Sequence, residues 1–229
     1  MFGLGRALRK ASHKANAIIA EVKVRSPKDG DLLRNRDPIE VLRAFERGGA
    51  AAISYITEPH FFGGSMKLLK QICSSTHLPV LRKDFIVTKR EIEATAEAGA
   101  AAVLLIARIL KDDTAEFVDF AADHGIDAVV EVHGEDELKF VEGVEIVGIN
   151  NRDIARLEKD DGDVRRTVRI APLVKADLKI SESGIRSVDD LLIALRYADA
   201  ALVGTAFMRA ENPEEVVRTF VNAPNGRRA

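Results

Sequence analysis

Six polar side chains stand at the ends of apolar runs scattered along this chain of 229 residues. Glu21 and Lys23 close the first such run, Lys83 the third, Glu131 the fifth, Asn150 the sixth and Glu182 the seventh. Three carboxylates, two ammonium groups and an amide gathered in one partly dry place would supply acids and bases without a metal. Mutual attraction keeps some of them charged, while burial and like-charge neighbours push other pKa values toward neutrality. Ser183, directly after Glu182, adds a hydroxyl. A charge at one strand end is commonplace and reads equally well as a salt bridge or a solvated turn residue. Six at corresponding ends read as a site.

The two-residue period of a strand sorts them further. Glu21 and Lys23 share a face, Lys83 lies on the same side as Phe85, and Asn150 on the same side as Arg152. One mouth can therefore be lined by all of them.

A second group suits an oxyanion. Ser183-Gly184-Ile185 and Gly204-Thr205-Ala206 follow the last two apolar runs, and glycine lets the main chain approach a phosphate closely. Ser26-Pro27-Lys28-Asp29-Gly30 offers a third contribution, with Ser26 a hydroxyl donor and Lys28 a flexible cation. Alone, each is a turn signal; placed after consecutive strands they form a phosphate corner. The dinucleotide fingerprint and the P-loop are both absent.

What must position these residues is a repeating beat. β-type runs at Ile18–Val24, Ala51–Ile56, Pro79–Arg82, Ala101–Ile106, Asp127–Glu131, Glu145–Ile149, Leu178–Ser181 and Ala200–Val203 alternate with helical patterns. Asp37-Pro38, Ser65 and Asn212-Pro213 read as helix starts; Gly48-Gly49, Gly99 and Gly125 read as helix ends. The runs are apolar nearly throughout, as strands covered on both faces are. Eight strand–helix units predict an α/β protein, a single-domain (β/α)8 barrel over residues 1–229, with an open doubly wound sheet as the alternative. Residues 1–17 form a short N-terminal segment, and 223–229, with Arg227 and Arg228, are expected to be a disordered tail.

Composition narrows the function classes. Hydrophobic residues make up 46% and charged residues 31%, too apolar for a disordered chain. The net charge of −2 gives no case for nucleic acid, and no apolar run is long enough for a membrane span. The basic start lacks the apolar stretch of a secretory signal. Cys73 is the single cysteine, which excludes an intrachain disulfide and fits a reducing cytoplasm; it is expected to fill core. The five histidines show no ligand spacing, so no metal site is predicted; only His133, two residues beyond Glu131, is positioned to face the mouth. Phe61-Phe62 suit either an apolar pocket or ordinary loop packing. Lys10, Arg34 and Arg36 read as solvated charges.

At these strand-end segments the chain resembles the indole-3-glycerol phosphate synthase family. The likeness runs from about Ala17 to Met208 and rests on IIAEVKVRSP (18–27), ITEPHFFGGS (56–65), LPVLRKDFIV (78–87), EAGAAAVLLIARIL (97–110), VGINNRDI (147–154), ISESGI (180–185) and ALVGTAFM (201–208). The resemblance implies a carboxy-lyase of tryptophan biosynthesis that closes 1-(2-carboxyphenylamino)-1-deoxyribulose 5-phosphate to the indole, releasing carbon dioxide and water, with no cofactor. It implies Lys83 as general acid and Glu131 as its acid–base counterpart. Glu21, Lys23, Asn150, Glu182 and Ser183 complete the catalytic set. Phe85 packs against the anthranilate ring, Gly184, Gly204 and Thr205 take the phosphate, and Arg152 and Ser26 assist. The expected partner is a small phosphorylated substrate, and the expected state a monomer, with a weak dimer as the alternative.

The family usually carries a longer N-terminal extension over the mouth; here the helix-like stretch Arg6–Lys14 is expected to replace part of that cover. Lys28 and Thr205 replace the family's usual serines, and both remain phosphate donors. Two competing functions stay open. One is a sugar-phosphate isomerase barrel of the phosphoribosylanthranilate isomerase type, which generally needs a cysteine at the first strand's end. The other is a non-catalytic phospho-ligand-binding barrel, which needs the phosphate corner but not Lys83 or Glu131.

Overall fold

In the computed structural model, residues 3–152 and 162–225 are described. Eight parallel strands close on themselves: β1 Ala17–Val22, β2 Ala52–Ile56, β3 Val80–Lys83, β4 Ala102–Ile106, β5 Asp127–Val132, β6 Ile146–Asn150, β7 Leu178–Glu182 and β8 Ala200–Val203. β8 returns to pair with β1, Ala17 opposite Ala200, so closure decides against the open sheet. All eight expected strands are present, with ends shifted by a residue or two.

Among the described residues ten α-helices wrap or cap the barrel: α1 Gly3–Ser12, α2 Pro38–Arg47, α3 Met66–Ser75, α4 Lys89–Glu97, α5 Ala107–Leu110, α6 Thr114–Asp123, α7 Arg165–Ile170, α8 Val188–Leu195, α9 Thr205–Arg209 and α10 Pro213–Asn222. Their starts are chemically specified. Asp37, Ser65 and Asn212 each accept a hydrogen bond from a first-turn amide, at Ile39, Leu68 and Glu215 respectively.

Alternation along the strands builds two kinds of core. Inward residues from all eight strands, such as Ile19, Ala52, Leu81, Leu104, Val129, Ile146, Ile180 and Leu202, pack together inside the barrel. The alternate residues, Ile18, Ile53, Val103, Val130, Val147 and Ala201 among them, pack under the helices. Neither face meets water, which is why the strands carry apolar residues on both.

The first helix corrects one expectation. α1 does not cover the mouth; Leu4 and Leu8 insert among Ala17, Ile19, Ala52 and Ala102 at the N-terminal ends of the strands. Its position follows from connectivity. Only four residues separate α1 from the start of β1, so the helix must lie at the end where β1 enters, opposite the mouth. Leu4 and Leu8, one turn apart, form the stripe that closes this floor, and the Gly5 amide donates to Asp127 Oδ2 at 3.0 Å.

Two other readings change. Arg36 is not a solvated charge: its guanidinium donates to the carbonyls of Leu32, Leu33 and Met208, tying the loop after β1 to α9. Ala223 is buried, and Asn16 Nδ2 donates to its carbonyl at 2.9 Å, so the chain is packed through this point. Residues 226–229, and with them Arg227 and Arg228, lie outside the described residues, as does Asp153. Among the described residues no helix is long and apolar enough to cross a membrane.

Candidate active site

The inward parity that fills the barrel also aims its last layer. On β5 the series Asp127, Val129, Glu131 runs from floor to mouth; on β7 it is Leu178, Ile180, Glu182, and on β1 Ala17, Ile19, Glu21. Register carries Asn150 of β6 opposite Glu182 of β7. The apolar layers thus lift one polar layer into the mouth, where Glu21, Lys23, Lys83, Glu131, Asn150 and Glu182 are all buried.

Lys83 sits at the centre of that layer. Its Nζ donates to Glu131 Oε2 at 2.8 Å and to Glu182 Oε2 at 2.9 Å, and Asn150 Nδ2 donates to the same Glu131 oxygen at 3.0 Å. One ammonium thus bridges two carboxylates at the bottom of a cleft. Burial alone would raise the Glu131 pKa, but Lys83 and His133 outweigh it and hold this carboxylate below its ordinary range. Glu182 goes the other way. Burial raises it, and the negative charge of Glu131 adds to that, more than Lys83 can offset. Two neighbouring carboxyls are pushed apart, one ionised and one carrying the proton, which is the arrangement acid–base chemistry needs.

Glu21 and Lys23 form a separate buried ion pair at 3.0 Å. Lys23 also lies over the Phe62 ring, 5.6 Å from its centroid. Two inward glycines make room for these acids. A Cβ on Gly148 would collide with the Glu182 carboxylate, and one on Gly204 with Glu21 Oε1. Sequence reasoning gave Gly204 to phosphate and Gly148 no role. The available signal was a glycine at an inward position one layer below a polar one.

Two adjoining spaces flank this layer. A cavity of about 310 Å³ is lined by Glu21, Lys23, Lys28, Arg152, Ser183, Gly184, Gly204, Thr205 and Arg209. Ser183 and Gly184 both have positive φ, 64° and 70°, a conformation that costs energy for serine and turns the main chain at the cavity wall. A narrower apolar slot lies beside Lys83 and Glu131, walled by Phe62, Phe85, Leu104 and Ile106. Phe62 is the buried member of its pair, Phe61 the exposed one.

Of the expected site residues, Ser26 alone points elsewhere. Its hydroxyl donates to Asp29 Oδ2 at 3.1 Å and accepts from the Asp29 amide at 2.9 Å, bracing the loop instead of lining the cavity. Ser183 joins the cavity wall and not the Lys83 cluster. Glu58 was missed. Buried at the rim, it accepts from the amides of His60, Phe61 and Phe62, folding the loop that presents Phe62 to the slot and to Lys23. Its signal was an acid followed by a proline and a glycine-terminated aromatic pair, a turn in which a carboxylate can collect amides. His133 proves buried, while His13, His60, His77 and His124 are exposed.

A closed parallel barrel with an acid–base cluster at the strand C-termini, beside a cationic, glycine-walled cavity, defines a (β/α)8 enzyme-type site for a small anionic ligand. The indole-3-glycerol phosphate synthase family model matches residues 2–220, and the chain belongs to that family. It is 60% identical to the indole-3-glycerol phosphate synthase of Pyrococcus furiosus, over 97% of this chain and 98% of the relative. The corresponding protein of Thermococcus kodakarensis is 58% identical, over 96% and 98%. Among solved structures, tryptophan synthase subunit alpha from Legionella pneumophila superposes with a TM-score of 0.67 over 96% of this chain and 97% of that one; at 10% identity this likeness concerns the fold alone.

Proposed function

We propose that this chain is an indole-3-glycerol phosphate synthase, a carboxy-lyase that turns 1-(2-carboxyphenylamino)-1-deoxyribulose 5-phosphate into indole-3-glycerol phosphate, carbon dioxide and water. Family membership over nearly the whole chain supports the activity. The observation that carries the assignment of roles is Lys83 Nζ held between Glu131 and Glu182, in an apolar slot near a cationic cavity of about 310 Å³.

The anthranilate ring lies in the slot against Phe85 and Phe62, and the phosphate in the cavity at Ser183, Gly184, Gly204 and Thr205, with Arg152 and Lys28 as cations. Anchoring both ends folds the flexible sugar chain so that the carboxyl-bearing ring carbon faces the ketone carbon, which supplies much of the rate. As the new carbon–carbon bond forms, Lys83 delivers a proton to the developing alkoxide. Lys23 pairs with the substrate carboxylate until the bond to carbon dioxide breaks and its electrons restore the aromatic ring. Dehydration follows. Glu131, held ionised, takes the proton from the adjacent carbon; an acid, Lys83 or the protonated Glu182, gives the departing hydroxyl its proton. Asn150 orients that hydroxyl.

The isomerase alternative finds no support at the first strand, where Glu21 and Lys23 stand. Cys73 lies in α3, outside the barrel, and burial pushes its thiol up to about 11, far from acid–base use near neutrality. We further propose that the protein works as a monomer in the cytosol.

Incubating the purified protein with the carboxyphenylamino ribulose phosphate and following indole fluorescence tests the reading. Turnover without added metal is expected, with a loss of at least about a hundredfold in Lys83→Ala. Binding without turnover would leave a phospho-ligand-binding barrel, and full turnover in Lys83→Ala would remove the proposed acid.

A further inference from the structure

Beside Glu131 Oε1 lies a buried titratable side chain that the proposed chemistry does not use. His133 is 4% exposed and follows Glu131 on the same face of the chain. Its Nε2 is 3.2 Å from Glu131 Oε1, the oxygen that Lys83 and Asn150 leave alone, and its Nδ1 is 3.5 Å from Glu137 Oε2. Glu137, 1% exposed, comes from the 3-10 turn Glu135–Phe140. That carboxylate also accepts the His133 amide at 2.9 Å, and its other oxygen takes Arg108 Nε at 2.6 Å. Arg108 belongs to α5, after β4. Ionisable groups therefore follow one another from Arg108 through Glu137, His133 and Glu131 to Lys83.

We propose that His133 is a positioning residue for Glu131, held as an imidazolium by Glu137 so that it fixes Oε1 from behind and presents Oε2, ionised, to the mouth. This rests on the reading of Glu131 as the base. Carboxylate oxygens stand within ion-pair distance of both ring nitrogens, and neither contact has hydrogen-bond geometry, so the pairing is one of charge. Burial by itself would strip the proton, but Glu131 and Glu137 outweigh it and raise the ring to about 9. The groups facing His133 are Glu131 on its own strand and Glu137 from the following turn; Arg108 and Lys83 stand one step further out on either side.

Without the cation behind it, Glu131 keeps Lys83 and Asn150 at Oε2 but loses one of two opposing charges and its partner at Oε1. Its affinity for a proton rises, and the carboxylate gains freedom to turn. The consequence is a kinetic signature distinct from simple loosening. In His133→Asn the acidic limb of the kcat–pH profile should move up by about one unit, and kcat at neutral pH should fall by about tenfold. KM should change by less than about twofold. Glu137→Gln keeps the ring in place, and should shift the same limb in the same direction by less. It covers the case in which His133→Asn does not fold.

Nuclear magnetic resonance of ring nitrogens separates this inference from the reading it rests on. In the wild type, His133 should be doubly protonated at pH 7, and in Glu131→Gln its titration should fall toward the ordinary histidine range. A wild-type ring that titrates near the ordinary value, or an acidic limb unmoved in both variants, would overturn the proposal. If Glu131→Gln retains full activity while the ring behaves as stated, the base assignment fails and the charge arrangement stands.

Discussion

The two ends of this barrel are built from the same alternating strands and handle buried charge in opposite ways. At the floor, Asp127 is the inward acid of β5, and its Oδ2 accepts the Gly5 amide of α1, while Leu4 and Leu8 seal the space around it. At the mouth, one layer of the same strand set holds three acidic side chains and two lysines beside a cavity. An acid that takes a main-chain amide of the capping helix is a device for closing a barrel. Acids that outnumber their cations, and share them, have their proton affinities driven apart. Burial does not set the two ends apart, since Asp127 and Glu131 are both nearly inaccessible.

If the floor serves stability and the mouth chemistry, changes at the two ends should separate cleanly. Leu8→Ala, at a fully buried floor position, should cost about 2–5 kcal/mol of unfolding free energy in denaturant titration. Its kcat, measured well below the melting temperature, should stay within about twofold of wild type. A large kcat loss there would mean that the floor reaches the chemistry. Gly148→Ala asks the converse. Its new methyl group must displace the Glu182 carboxylate, so kcat should drop roughly tenfold to a hundredfold. Retained activity would show that Glu182 need not sit where it does. The smallest effect is expected for Asp127→Asn, which keeps an acceptor for the Gly5 amide but removes its charge. About 1 kcal/mol of stability should be lost with indole formation unchanged; a comparable loss of turnover would break the separation.

Much of this contrast was legible before any coordinates. Two-residue parity places Glu21, Lys83, Glu131, Asn150 and Glu182 on one side of their strands, because a buried parallel strand has no freedom to slip its register without exposing an apolar face. Helix starts at Asp37, Ser65 and Asn212 were readable for a similar reason, since the cap is a local bond between neighbours. What escaped depends on contacts between distant segments. The space that Gly148 leaves for Glu182 involves residues on two strands, and the Arg36 bond to Met208 joins opposite ends of the chain. Neither leaves a periodic trace. The amphipathic stripe of α1 specifies what it buries and not where; the four-residue link to β1 decides that. Ser26 was credited with a ligand, although Asp29, three residues on, is a nearer partner for its hydroxyl.

The account turns on Lys83 as the proton donor in ring closure, and single-turnover kinetics address this with binding removed from the comparison. With saturating substrate and enzyme in excess, Lys83→Met should bind the carboxyphenylamino ribulose phosphate within about threefold of wild type, because the phosphate and ring subsites remain. Its rate of indole formation should be lower by at least about a hundredfold. A single-turnover rate equal to that of the wild type would show that the bridging ammonium at the mouth is structural and that the proton comes from elsewhere.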